Sequence, residues 1–322
     1  MFTPTIKLIR LLAAVLAASI SAQSIAATID VDTVLDASNP FFNESLTLVD
    51  GTSPPTRLTV LDGALVTSET LAIDAYGSSI IDMRGGSLSS EDEDIGLRLN
   101  DDATLVLSGG RINTVSFSGE ARDRSRIELR GGEMLEGFRL LDSSRMDIVS
   151  GRFDVLLVAG YGNSRTVMTG GSPSHVRLFD DASFVMHAGI LPGGLVTEGS
   201  SRALLNGGST YIVQVFGQSE LTVRGGVLID TIVAADSGII RIYGTGLHYA
   251  EDDDNPNVKY IRGTLADGTE LEVFYRIRDQ GQIIFHEVPE PTAWSLLTIG
   301  AAVLTFVSRR SRSRCGNPAC AC

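Results

Sequence analysis

The chain has 322 residues, with 39 acidic and 26 basic side chains and a formal net charge of −13 at pH 7. Its 34 glycines and 43% hydrophobic residues are typical of a chain that folds around a core, and they exclude a wholly disordered protein. Because acids outnumber bases and no basic stripe is present, nucleic acid is excluded as an expected partner.

An export signal is predicted over residues 1–26. Lys7 and Arg10 precede an apolar run from Leu11 to Ile20, and small residues follow. This order is typical of a cleaved secretory signal, and the apolar run is too short to span a bilayer. The mature chain is therefore expected to begin at Ala27 or Thr28.

The body that follows is strongly acidic and contains no cysteine. Between residues 28 and 291 it has 39 acidic and 20 basic side chains, and Cys315, Cys320 and Cys322 all lie beyond it. A disulfide therefore cannot stabilise the body. Extensive backbone pairing and a continuous apolar core have to hold it, which favours a repetitive β architecture.

A repeat runs through the body, in which a short alternating strand ends in a glycine pair. A clear copy is Ile127-Glu-Leu129-Arg-Gly131-Gly132. The first position of the pair, which we call the corner, falls at residues 62, 85, 109, 131, 150, 170, 188, 207, 225 and 244. The residue two places after the pair is apolar in eight copies: Leu65, Leu88, Ile112, Met134, Phe153, Leu191, Leu228 and Leu247. Pro173 and Thr210 depart from this rule.

This pattern predicts an all-β fold, a parallel β-solenoid over residues 28–247. The apolar residues two and four places before each corner point inward, and the glycines allow a positive φ and close stacking. A second apolar pair adds another strand to most coils: Val115 and Phe117, Leu156 and Val158, Val176 and Leu178, Val213 and Val215. About ten coils stack at roughly 4.8 Å per strand. The variable coil length favours a right-handed solenoid.

Two segments depart from the repeat. The acidic stretch Glu91–Asp94 falls where the corner spacing is longest, so it is interpreted as a loop. Residues 248–287 contain three short strand patterns, around Tyr260–Leu265, Leu271–Ile277 and Gln282–Phe285, separated by turn signals. We expect a small β-meander that caps the last coil and protects its strand edges.

The tail from residue 288 to residue 314 has three parts in a fixed order. Pro289-Glu290-Pro291 comes first, an apolar stretch opens with Trp294, and an arginine cluster begins with Arg309 and Arg310. Tryptophan suits the membrane interface and arginine suits the cytoplasmic side, so the stretch is predicted to be a transmembrane helix with the body outside. Residues 315–322 form a predicted cytoplasmic tail that contains the three cysteines.

This arrangement resembles the PEP-CTERM sorting signal. The resemblance covers about a tenth of the chain and implies processing by a membrane transpeptidase of the exosortase type in bacteria that make exopolysaccharide. It implies that the helix is a transient anchor and that the protein reaches the cell surface or the extracellular matrix. The chain departs from the pattern in its Cys-containing extension. An ordinary C-terminal anchor behind a proline-rich linker is the alternative.

Few residues suggest catalysis or metal binding. The four histidines, His175, His187, His248 and His286, have no metal-type spacing, and no nucleophile or phosphate-loop motif occurs. The acidic stretch Asp252–Asn255 lacks the spacing of a calcium loop. Three sets of charged residues are candidates for glycan cleavage: Asp82 with Arg84, Glu128 with Arg126 and Arg130, and Asp180 with Asp181.

We therefore expect an exported, non-catalytic structural or adhesive protein, associated with the matrix or with exopolysaccharide and requiring no cofactor. The alternative is a polysaccharide lyase or hydrolase on the same fold. Outward acids and arginines on neighbouring rungs commonly form cross-strand pairs, which favours the structural interpretation.

Overall fold

The computed structural model describes residues 27–38, 45–51, 55–68, 71–90, 95–114, 117–153, 157–251 and 259–288. The predicted loop at 91–94, the acidic stretch 252–255 and the segments before residue 27 and after residue 288 lie outside these residues. Within the described ranges every regular element is a β-strand. No helix in these ranges has the length and hydropathy needed to cross a bilayer.

The strands, in chain order, are β1 Ala27–Ile29, β2 Thr33–Leu35, β3 Leu46–Leu48, β4 Arg57–Val60, β5 Leu65–Ser68, β6 Ile73–Ala75, β7 Ile80–Ser90, β8 Ile95–Leu99, β9 Thr104–Thr114, β10 Phe117–Ala121, β11 Arg126–Leu129, β12 Glu133–Met134, β13 Gly137–Leu140 and β14 Arg145–Ile148. They continue as β15 Arg152–Phe153, β16 Leu157–Gly160, β17 Arg165–Met168, β18 His175–Leu178, β19 Ser183–Met186, β20 Ile190–Leu191, β21 Gly194–Thr197, β22 Arg202–Val215, β23 Glu220–Ala234, β24 Ile239–Glu251, β25 Lys259–Leu265, β26 Glu270–Ile277 and β27 Gln282–Glu287.

These strands form a parallel β-solenoid of about ten turns, as the sequence predicts. Face 1 stacks β1, β3, β6, β8, β10, β13, β16, β18, β21, β22, β23 and β26. Face 2 stacks β2, β4, β7, β9, β11, β14, β17, β19, β22, β23, β24 and β27. A shorter face 3 includes β5, β12, β15 and β20. The long strands β7, β9, β22 and β23 run round the corner from face 2 to face 3.

The core is built from the inward positions that the repeat predicts. In β11, Ile127 and Leu129 are fully buried while Arg126 is exposed and Glu128 is half-buried. The residues two and four places before the corner are buried in all ten copies. Stacking places each inward side chain directly above the equivalent residue of the next coil, so one apolar column runs through the described solenoid.

Two apolar residues of the repeat lie outside the core. Val66 rather than Leu65 is buried in the first copy, because Val66 pairs with Leu88 of the next coil. Phe117 is half-buried instead of lying in the core. The guanidinium of Arg139 lies 3.9 Å from the centroid of its ring, which places this ring on the outer side of face 1. A register shift beside Phe117 in the pairing of β10 with β13 accounts for this change of side.

The corner glycines, by which we mean the second residue of each pair, allow neighbouring coils to approach closely. Gly110 has φ +79°, and a Cβ built there would lie 2.3 Å from the carbonyl oxygen of Gly85 in the preceding coil. A side chain at this position would therefore meet backbone rather than a flexible group. This is the role that the repeat predicts for the pair.

A second turn, between face 1 and face 2, has its own repeat. Its first residue adopts a positive φ and is aspartate in six coils: Asp101, Asp123, Asp142, Asp180, Asp236 and Asp279. Several of these carboxylates accept a hydrogen bond from the backbone amide of the turn in the preceding coil, as Asp101 does from Gly77 at 3.0 Å. The same bond joins Asp123 to Asp101 at 3.1 Å and Asp142 to Asp123 at 3.2 Å. Because aspartate tolerates this conformation and supplies an acceptor, it links successive coils.

The C-terminal strands differ from the predicted separate meander. β25 is antiparallel to β24 and to β26. However, β26 and β27 pair in parallel with β23 and β24 and extend faces 1 and 2. These strands thus form a further coil with an antiparallel strand beside it.

Candidate functional site

The outer side of face 2 carries two of the three predicted sets of charged residues. The first surrounds Asp82, which lies between two inward core residues of β7 and therefore points outward. Its Oδ2 accepts hydrogen bonds from Arg84 Nη2 at 2.7 Å and Arg57 Nη1 at 3.0 Å. Arg84 is its neighbour on the same strand, whereas Arg57 belongs to the preceding coil.

The charge of Asp82 is stabilised in this site. Its side chain is only 8% exposed. The hydrogen bond from Arg84 holds the pKa of the Asp82 carboxyl below its ordinary value, and the charges of Arg84 and Arg57 add to this effect, against the opposing effect of burial. Asp82 is therefore ionised at neutral pH. An ionised, doubly paired carboxylate is a poor general acid, because a general acid has to hold a proton at the working pH.

The second set surrounds Glu128 on β11. Arg126 Nη2 lies 3.2 Å from Glu128 Oε1 and 2.8 Å from Asp147 Oδ2, so it joins two coils, while Arg130 Nη2 lies 2.5 Å from Glu128 Oε2. These side chains, together with Val149, border an open depression of about 290 Å³. The carboxylates are neutralised by guanidinium groups on their own coil and on the adjacent one.

The third set does not form a site. Asp180 is a turn residue with φ +53°, and its carboxylate accepts a hydrogen bond from the amide of Gly162 at 3.1 Å. The amide of Asp181 donates to the carbonyl of Gly162 at 3.1 Å. The pair therefore forms part of the turn ladder that links the coils.

Face 1 carries a charged cluster that the sequence did not predict. Asp74, Arg98, Glu120 and Arg139 stand directly above one another in register, so their charges alternate along the axis. The Glu120 side chain is only 5% exposed. It lies 4.0 Å from Arg98 Nε and accepts a hydrogen bond from Arg122 Nε. In the sequence, this cluster is indicated by acidic and basic residues that alternate at the same outward position of successive coils. That pattern can be recognised only when the register between the coils is known.

A tyrosine extends the same cluster. The hydroxyl of Tyr76 donates to Asp74 Oδ2 at 2.7 Å, and Asn100 Nδ2 donates to Asp74 Oδ1 at 2.8 Å. The hydrogen bond to Asp74 raises the pKa of Tyr76 above its ordinary value, since the carboxylate favours the protonated phenol. Tyr76 is therefore a hydrogen-bond donor here.

The histidines lie apart from one another. His175 contacts Ser174 at 2.8 Å, His248 contacts the carbonyl oxygen of Gly246 at 2.8 Å, and His286 stacks on Tyr243 with ring centroids 4.5 Å apart. His187 lies near Asn206. Within the described ranges, no group of three or more His, Cys, Asp or Glu residues has a geometry that could hold a metal ion.

The predicted sorting residues, Pro289, Glu290, Pro291, Trp294, Arg309 and Arg310, lie outside the described residues. The charged sets on faces 1 and 2 are the candidate functional surface of the described body. Their chemistry is ion pairing within and between coils. Comparisons of this chain with protein-family models, with curated proteins and with solved structures find no match.

Proposed function

We propose that the protein is an exported, non-catalytic structural or adhesive protein whose solenoid body displays a long side-chain surface. The observation that carries this proposal is the pairing of its outward acids. Asp82 and Glu128 are each held by two arginines, and Asp180 belongs to a turn ladder. These pairs hold the carboxylates within a coil and, at Arg57, between coils, whereas hydrolysis or elimination needs a carboxyl or base that is free to exchange a proton.

The shape of the body supports the same function. Face 2 stacks continuously from β2 to β27, which corresponds to a length on the order of 50 Å at the usual strand spacing. A parallel solenoid presents the same outward position at every rung, so it offers periodic rows of side chains. Periodic rows suit contact with an extended polymer, and we propose extracellular polysaccharide as the partner.

The cellular part of the proposal rests on the sequence patterns at residues 1–26 and 289–314. An export signal, the Pro-Glu-Pro motif and an apolar stretch followed by arginines together favour delivery to the cell envelope. In this proposal the apolar stretch is a temporary transmembrane anchor and an exosortase-type transpeptidase recognises Pro289, Glu290 and Pro291.

We expect the purified protein to bind one or more members of a panel of neutral and acidic polysaccharides without shortening them. Binding would be measured by co-sedimentation or titration calorimetry, and polymer length by size-exclusion chromatography after long incubation. If the wild-type protein shortened a polysaccharide and Asp82→Asn or Glu128→Gln did not, the non-catalytic function would be overturned and a glycan-cleaving enzyme established.

If residues 289–291 are a sorting signal, Glu290→Ala should have a different mature C-terminus from wild type. In a host that contains an exosortase, mass spectrometry should find wild type without Cys322, whereas Glu290→Ala should keep it and accumulate in the membrane fraction. The apolar stretch and its arginines are unchanged in this variant, so anchoring is retained. Glu287→Ala, three residues earlier and at the exposed end of β27, is the control and should be processed like wild type. An intact Cys322 in wild type would favour a permanent anchor.

A further inference from the structure

Although the sequence shows no basic stripe, the stacking of coils brings a row of arginines together on the outer side of face 2, and this corrects that expectation. Arg126, Arg145 and Arg165 are in direct register on successive coils, Ser183 occupies the next rung, and Arg202 follows it. All four arginines are exposed. The row covers four rung steps, or roughly 19 Å at the usual strand spacing.

Three of these arginines form no ion pair with a described residue. Arg126 is paired with Glu128 and Asp147, but Arg145, Arg165 and Arg202 have no ion pair within the described part of the chain. The next acid along the column, Glu220, pairs with Arg241 instead of Arg202. Like charges directly opposite each other on neighbouring strands are destabilising, and this protein has acidic residues in excess. An unneutralised arginine row in such a protein points to an external anion.

An apolar row runs beside the arginines. Val167, Val185 and Leu204 are in register on successive coils, on the outward position next to the arginine row, and each is half-buried. The exposed Val149 lies near the start of this row, at the depression described above. Apolar residues on the outer side of a sheet offer a surface on which the carbon face of a flat ring can pack.

We propose that these two rows form a binding track for a carboxylated polysaccharide lying along the solenoid axis. The guanidinium groups of Arg145, Arg165 and Arg202 bind carboxylates of successive sugars, and Val167, Val185 and Leu204 contact the apolar faces of the rings. Arginine suits this task because its planar donor fork matches a carboxylate. The inference rests on the proposed function, since it names the polymer class that the non-catalytic body would bind.

The combination of rows distinguishes this polymer from other polyanions. A nucleic acid would be held by phosphate contacts and by stacking of its bases on aromatic side chains, and the residues beside the arginines here are aliphatic. A simple sulfated polymer would need the charges alone. A chain that alternates carboxylate groups with apolar ring faces uses both rows.

The test measures binding of oligogalacturonate, which has a carboxylate on each sugar, to the full protein and to Arg145→Gln/Arg165→Gln/Arg202→Gln. We expect binding to wild type that weakens with added salt, and about 100-fold weaker binding to the triple variant, which corresponds to three exposed ion pairs at the upper end of their strength. The control Arg177→Gln/Arg276→Gln/Arg278→Gln removes the same charge from exposed positions of face 1 and its following turn. It should bind like wild type. Melting temperatures check that both variants are folded.

Further binding results decide the remaining points. The methyl-esterified oligomer, which keeps the rings and loses the charge, should bind weakly; equal binding would overturn the role of the arginines. Dextran sulfate or single-stranded DNA binding as tightly as oligogalacturonate would overturn the assignment to a carboxylated polysaccharide. Equal loss in the two triple variants, or no binding of oligogalacturonate to wild type, would overturn the track. Binding with shortening of the oligomer would leave the track in place and overturn the proposed non-catalytic function.

Discussion

Leu129→Asp should lower the free energy of unfolding by about 4 kcal/mol or more, which is the range for a core residue replaced by a buried, unpaired charge. Leu129 is fully buried in β11 and stands between Leu107 of the coil before and Ile148 of the coil after. A carboxylate there would replace apolar contacts on both sides. Urea denaturation of the purified variant, followed by circular dichroism, measures the loss.

Glu128→Ala, one residue away, is the matched control. The Glu128 side chain points outward and is 17% exposed, and its partners Arg126 and Arg130 are more than half exposed. Exposed ion pairs contribute about 0–1 kcal/mol each, so we expect a loss near 1 kcal/mol. Similar losses in the two variants would contradict the inward and outward assignment along this strand.

The inward positions and the corners could be predicted because both requirements are local. A strand alternates with a period of two residues, so Ile127 and Leu129 indicate their side of the sheet without further information. The position after the corner needs a positive φ and has no room for a side chain, so it selects glycine. The local pattern does not decide between two neighbouring apolar residues such as Leu65 and Val66, where only pairing with Leu88 fixes the register.

The turn ladder of aspartates could not be predicted in this way. In an acidic sequence an aspartate such as Asp123 is expected on a solvated turn. Its carboxylate accepts a hydrogen bond from the amide of Asp101 in the preceding coil, which no local pattern indicates. The same limit applies to the charged clusters. The pair of Asp82 with Arg84 is local and was predicted, but Arg57 and the column of Asp74, Arg98 and Glu120 come from different coils. Because the coils differ in length, these partners can be identified only once the pairing of residues between coils is known.

Gly110→Ala is expected to have the second largest effect, about 3 kcal/mol or more. Two costs combine: an alanine at φ +79° costs about 1 kcal/mol, and its Cβ would meet rigid backbone. The nearest atoms are the carbonyl oxygen of Gly85 at 2.3 Å, its carbonyl carbon at 2.6 Å and the oxygen of Gly86 at 2.7 Å. None of these is the end of a flexible side chain, so relief requires the two coils to separate, which weakens the pairing of β7 with β9.

Gly246→Ala separates the two costs. Gly246 also has a positive φ, +61°, but a Cβ built there has nothing within 4 Å. This variant therefore has the conformational cost alone, and we expect a loss near 1 kcal/mol. The difference between the variants in urea denaturation measures the contribution of close coil stacking. Equal losses of stability in Gly110→Ala and Gly246→Ala would mean that glycine is needed at residue 110 for its backbone conformation alone. In that case Gly110→Asn should lose little stability, because asparagine tolerates this conformation. If stacking is the larger requirement, Gly110→Asn should be as destabilising as Gly110→Ala, because its Cβ meets the same backbone atoms.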